Sequence, residues 1–168
     1  MQRVLILYPN TLLPVDSGSK KLTFQLIKYL KKKERLLDIF SLYYERKNNG
    51  DLSRYCNNLF EIQNPLYNNF LKIINKVFNI FVINPLKKDL TLKFFLKKQI
   101  FNILKDNNYD LIILNYVQWS DLIPKKYKSK TMILTHDIFY YRYQSFSKYF
   151  YQKYIYQLIR NYEIKVLN

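Results

Sequence analysis

The sequence predicts an α/β domain: a mostly parallel, Rossmann-like sheet with helices on both faces. Three observations lead there. Short apolar runs, Val4 to Tyr8 and Tyr109 to Asn115 among them, have the composition of strands buried on both sides. Amphipathic runs at helical period separate them. Between the first apolar run and the first amphipathic one lies Pro14-Val15-Asp16-Ser17-Gly18-Ser19-Lys20-Lys21, a turn of small residues around a glycine.

In chain order, Arg3 to Tyr8 reads as a first strand. Ser19 to Lys33 reads as a helix, with Leu22, Leu26, Tyr29 and Leu30 as its apolar face and Ser17 or Ser19 as N-cap. Leu36 to Tyr43 is a second strand. The polar stretch from Glu45 to Asn58, which holds Gly50, reads as a surface connection, and Leu59 to Gln63 as a short third strand stopped at Asn64-Pro65. Leu66 to Phe81 and Leu86 to Asn107 read as helices divided at Asn84-Pro85. Leu92, Phe95, Leu96, Ile100, Ile103 and Leu104 make the core face of the latter. Tyr109 to Asn115 and Lys130 to Thr135 are further strands. From Tyr140 the pattern is helical again, with Phe146, Phe150, Tyr154, Leu158 and Tyr162 at a spacing of four. Neither an internal repeat nor a linker is visible, so residues 1–168 read as one domain.

Composition narrows the function classes. At 168 residues and 49% apolar, the chain is long enough to bury a core and too apolar for disorder. The formal charge of +16 points to an anionic partner, nucleic acid or membrane. A second explanation stands beside it. Lys, Asn, Ile, Tyr and Phe dominate, alanine is absent, and those favoured types share A/T-rich codons, so base composition accounts for much of the excess. Cys56 is the only cysteine, which excludes an internal disulfide and a thiolate-built metal site. The N-terminal apolar run is too short for a signal peptide, and every longer one is broken by Lys or Asn. A soluble, cytoplasmic protein is expected.

In a parallel sheet of this kind, ligands bind beyond the carboxyl ends of the strands. Residues 9–19, 115–121 and 136–145 are therefore expected to crowd one rim. Fold alone names no reaction.

The ordered motifs YP-N-T-L-L-P-V-D-S-G-S-K-K-L-T-F-Q-L-I-K-Y-L, YDLIILNY, KTMILTHDI and NYEIKVLN resemble the N-terminal half of family-4-like glycosyltransferases of the two-domain GT-B class. In that family a proline-containing loop ends in a Ser-Gly or Gly-Gly turn, a later strand ends in His, and a late helix carries a Glu. This chain has Ser19 where a second glycine is common. The resemblance implies that a last strand and a donor-binding C-terminal domain belong after Asn168. It also implies a retaining transfer of sugar from a nucleotide sugar to a polysaccharide or glycolipid acceptor, without a metal or other cofactor, on the cytoplasmic face of a membrane. The fragment alone is expected to be inactive.

Ser17, Gly18 and Ser19 would then lie against the donor phosphates or sugar, at a helix start that favours an anion; a plain capping turn is the other reading. The sole histidine, His136, is the catalytic candidate, since imidazole donates to a sugar hydroxyl or phosphate near neutral pH. Asp137 would orient it or bind acceptor, or cap the next helix. Tyr116, Gln118 and Trp119 would bind acceptor, the indole stacking on a sugar ring or else packing under its loop. Lys20 and Lys21 at a helix N-terminus are poorly placed unless an anion is near. Glu163 reads as structural. The basic, Tyr-rich terminal stretch reads as a packed face, with single-stranded nucleic acid or a membrane as the rival. Two other functions stand against sugar transfer: a basic α/β module binding nucleic acid or anionic lipid, and a degenerate, truncated reading frame.

Overall fold

The computed structural model describes residues 2–43, 52–81, 89–135 and 150–167, with side chains from Tyr154 onward in the last segment. Five strands form one sheet: β1 (Arg3–Tyr8), β2 (Leu36–Tyr43), β3 (Asn58–Gln63), β4 (Leu111–Asn115) and β5 (Thr131–Leu134). Their spatial order is β3-β2-β1-β4-β5 and every pairing is parallel. The α/β, Rossmann-like expectation is met. The order reverses direction between β1 and β4, which meet in the register Ile6 to Ile113. Such a reversal opens a crevice at the carboxyl ends of the two strands.

Alternate residues of β1 divide the core into two layers. Leu5 and Leu7 join Phe40, Ile112 and Leu114 beneath helix α3 (Leu90–Asp106), which contributes Leu92, Leu96, Ile100, Ile103 and Leu104. Val4, Ile6 and Tyr8 join Ile39 and Ile113 beneath helix α1 (Gly18–Lys32), which contributes Ile27. Helix α2 (Asn69–Ile80) leans on α3. Helix α4 (Phe150–Leu167) sets Ile159 and Tyr162 against Val117.

Several expectations change in detail. On α1, Leu22 and Tyr29 are exposed, and the side facing the sheet is centred on Thr23 and Ile27. Thr23 is accepted there because its hydroxyl donates to Ser19 O and to Asn115 Oδ1. The helix expected over Leu66 to Phe81 begins as a separate 3-10 turn, Pro65–Tyr67, and α2 starts afresh at Asn69. Asn64 and Asn68 cause the break, each accepting from the amide two residues on. On α4, Tyr154 is exposed, and the packed stripe is Ile155, Ile159, Tyr162 and Val166. Phe146, Phe150 and the break at Asn84-Pro85 lie outside the described residues or side chains. The connection before β3 is not all surface: Leu52 and Cys56 are buried.

At the amino ends of the strands one carboxylate gathers the elements. Asp38 of β2 is fully buried. Its Oδ2 accepts from Arg3 Nε at 3.1 Å, the Arg3 terminal nitrogen at 2.8 Å and the Tyr109 hydroxyl at 2.8 Å. Its Oδ1 accepts from the Asn58 amide at 3.1 Å and Asn58 Nδ2 at 2.9 Å. The same Arg3 nitrogen donates to Asn107 Oδ1 just past the end of α3. Burial, then the bond to Asp38, raises the Tyr109 phenol above its ordinary value, so the hydroxyl remains a donor. Asp38→Ala removes the acceptor from a half-buried guanidinium and from three further donors, the Tyr109 hydroxyl and both Asn58 groups; we expect a loss of about 3–5 kcal/mol in denaturant titrations.

Candidate functional site

The crevice at the β1–β4 reversal is built from the two residues that close those strands. Tyr8 ends β1, and Asn115 ends β4. Asn115 is fully buried. Its Oδ1 accepts from Thr23 on α1, and its Nδ2 donates to Leu7 O at 3.3 Å. One side chain therefore ties α1, β1 and β4 together just below the rim.

Tyr116 follows with φ 72° and ψ 129°. A tyrosine in that region carries strain of about 1–3 kcal/mol. Its amide donates to Leu134 O at 3.0 Å, which fixes the turn to the end of β5. Its hydroxyl donates to Ser19 Oγ at 2.8 Å and lies 3.3 Å from the Tyr8 hydroxyl. The two tyrosine rings are 5.9 Å apart. Ser17 Oγ stands 3.3 Å from Ser19 Oγ. Tyr8, Tyr116, Ser19 and Ser17 thus form a continuous row of hydroxyls across the crevice. Burial, then the bond with Tyr116, raises the Tyr8 phenol above its usual value, so that hydroxyl keeps its proton.

The start of α1 completes the site. Ser17 has the extended backbone of an N-cap, yet its hydroxyl makes no capping bond to the helix. The amides of the first turn keep their unfilled hydrogen-bonding capacity and partial positive charge. Gly18 has an ordinary φ, so its conformation does not demand glycine. A Cβ added there would meet nothing within 4 Å. The missing side chain therefore leaves open space above the helix start. The loop leading in is anchored on β2: Asn10 O accepts from the Leu42 amide and the Ser41 hydroxyl.

Of the residues singled out in the sequence, Ser17, Gly18, Ser19 and Tyr116 come together here. Gln118 does not join them: it is half-buried, and its Oε1 is shut away without a hydrogen-bond partner. Of the two readings for the indole at position 119, the packed one holds. Trp119 is 8% exposed and packs in the core layer under α3, with Lys93 Nζ 5.7 Å from its ring. The misplaced charge of Lys20 has an internal answer, because its ammonium lies 2.9 Å from Asp16 Oδ1 and donates to Pro14 O. That hydrogen bond, first among the causes, holds the Asp16 carboxyl below its ordinary value. His136 and Asp137 lie outside the described residues. Glu163 is buried on α4.

Sequence reading missed Tyr8, Thr23 and Asn115. For Tyr8 and Asn115 the signal was positional: each strand-end residue at a reversal point faces the crevice or braces it, whatever its type; Thr23, within α1, carried none. A separate groove of about 530 Å³ runs between α3, the 117–122 turn and α4, lined by Lys93, Asp121, Lys128, Tyr162 and Lys165 among others. Several of its polar groups already serve one another. Tyr162 donates to Asp121 Oδ2 at 3.2 Å, Lys93 pairs with the same oxygen at 3.7 Å, and burial pushes the Tyr162 phenol up to about 12. The hydroxyl row is the better candidate, since its helix-start donors lack partners within the helix.

No family model, curated protein or solved structure matches this chain. Function must therefore be argued from the crevice. Tyr116→Phe removes the central hydroxyl of the row; we expect a stability loss of about 1 kcal/mol, the worth of a typical hydrogen bond, in equilibrium unfolding.

Proposed function

We propose that this chain is the acceptor-side, N-terminal part of a retaining GT-B glycosyltransferase. The observation that carries the reading is the hydrogen bond from Tyr116 to Ser19. It joins the Ser17–Gly18–Ser19 turn to the end of β4 across the reversal point. A row of hydroxyls suits a polyol, because each can donate or accept as a sugar hydroxyl requires. Uncapped amides at the start of α1 suit the diphosphate of a nucleotide sugar. The two features lie side by side, as a donor–acceptor junction needs.

In the transfer, the bond from the anomeric carbon to the diphosphate breaks and a bond to the acceptor oxygen forms. The acceptor hydroxyl loses its proton, and the nucleoside diphosphate leaves with the electron pair. In this reading Ser17, Gly18 and Ser19 face the diphosphate or donor sugar, and the Tyr116 hydroxyl orients a saccharide. By resemblance, His136 and Asp137 would serve the same reaction. The donor's nucleotide pocket belongs to a C-terminal partner domain, and no metal is required. The proposed setting is surface polysaccharide or glycolipid assembly at the cytoplasmic side of a membrane, through peripheral contact. Among the described residues no helix is long and apolar enough to cross a bilayer.

Amide-resolved NMR of the full chain, titrated with nucleotide sugars and with oligosaccharides, tests the reading. Shifts are expected at Gly18, Ser19 and Tyr116, without turnover. Gly18→Ala should raise thermal stability slightly, by about 0.5–1 kcal/mol, because alanine is the better helix former. It should also weaken those titrations severalfold. Shifts confined to other surfaces, or a Gly18→Ala protein that binds as well as the parent, would remove the basis for the reading.

A further inference from the structure

Helix α2 is inside out. Its inward side carries Asn75 and Asn79, whose Nδ2 groups donate to Asp89 Oδ1 at 3.0 and 3.3 Å, while Asn79 Oδ1 accepts from the Asp89 amide at 2.8 Å. Asn75 is 5% exposed. The outward side carries Phe70, Ile73, Val77, Ile80 and Phe81, between 50% and 79% exposed. Positions 70, 73, 77, 80 and 81 fall on one arc of a helix with 3.6 residues per turn. A water-facing helix ordinarily shows the opposite arrangement, so this arc is a surface shaped for an apolar neighbour.

Charge selects the neighbour. Lys72 and Lys76 are exposed and flank the arc on one side. From Asn64 to Lys105 the sequence holds one acidic residue, Asp89, against eight lysines. That acid is already engaged by the two asparagines. A second copy of the chain would bring another +16 to the contact and be repelled. An apolar stripe bordered by lysines fits the boundary between acyl chains and anionic headgroups, with the helix lying in the plane of the surface. We propose that α2 is a membrane-seating helix: Phe70, Ile73, Val77, Ile80 and Phe81 enter the outer acyl region of an anionic leaflet, and Lys72 and Lys76 contact its headgroups. The inference rests on the peripheral contact in the function proposed above and names its element; it does not depend on sugar transfer.

The test is vesicle co-sedimentation of the full chain, with phosphatidylcholine alone and with equal parts phosphatidylglycerol, and no saccharide present. Binding to the anionic vesicles should exceed that to the neutral ones by about tenfold or more, since each lysine near the surface adds attraction. Ile73→Ser/Val77→Ser/Ile80→Ser should lower the partition coefficient on the order of 100-fold, because three apolar side chains leave the acyl region. The three positions are exposed, so circular dichroism and the melting midpoint should match the parent. Phe81→Trp supplies a second reporter, with indole emission shifting to the blue on anionic vesicles.

Absence of binding to the anionic vesicles would overturn the proposal. Binding undiminished by the triple variant would do the same, by showing adsorption through net charge alone. Self-association in sedimentation velocity that the triple variant abolishes would assign the stripe to a second copy instead. None of these results bears on the NMR titrations at Gly18 and Tyr116, so the two readings fail separately.

Discussion

The fold depends on keeping one buried carboxylate fully solvated by protein. Asp38 is fully buried, and an unpaired charge in such a place would cost several kcal/mol. Five donors from Arg3, Tyr109 and Asn58 take the place of its hydration. Those donors belong to the beginning of β1, the approach to β4 and the beginning of β3. The carboxylate therefore sets the amino ends of four neighbouring strands in register, and Asn107 extends the same net to α3. Apolar layers on either face supply most of the burial, but they are tolerant of sliding. Directional bonds to a single charge are not.

With the amino ends locked, three departures gather at the carboxyl ends of β1 and β4. There the chain accepts a strained tyrosine, a helix start without a side-chain cap and a glycine whose conformation does not require it. Each is a local departure from what stability favours, and all three lie within one crevice. Departures of this kind cluster where a ligand contact takes precedence over local comfort. Asn115 limits the damage by bracing α1 and β1 from beneath, so the strained rim rests on a satisfied floor.

The sheet was legible because strands buried on both faces read as unbroken apolar runs, and all five emerge within two residues of their expected ends. Helix positions were legible from periodicity. Helix orientation was not, wherever a polar residue faces inward to a hydrogen-bond partner. Thr23 and Asn75 look like solvent-facing residues until their partners, far away in the chain, are known. Of the crevice, Ser17, Gly18, Ser19 and Tyr116 could be named from turn chemistry and from position after a strand. The strain at Tyr116 could not, since no glycine or asparagine marks it. For Trp119 both readings stayed open, because a large amphipathic ring after a strand carries no signal distinguishing a stacking platform from a plug.

The asparagine–aspartate clasp between α2 and α3 has a further consequence. Greasy packing loosens its grip when the medium itself turns oily, because there is no longer water to escape from. Amide-to-carboxylate bonds behave oppositely and tighten as the local dielectric falls. A helix fastened in this way is held more firmly in a dry medium than in a wet one, so the latch that secures it is at its strongest when the helix is out of water.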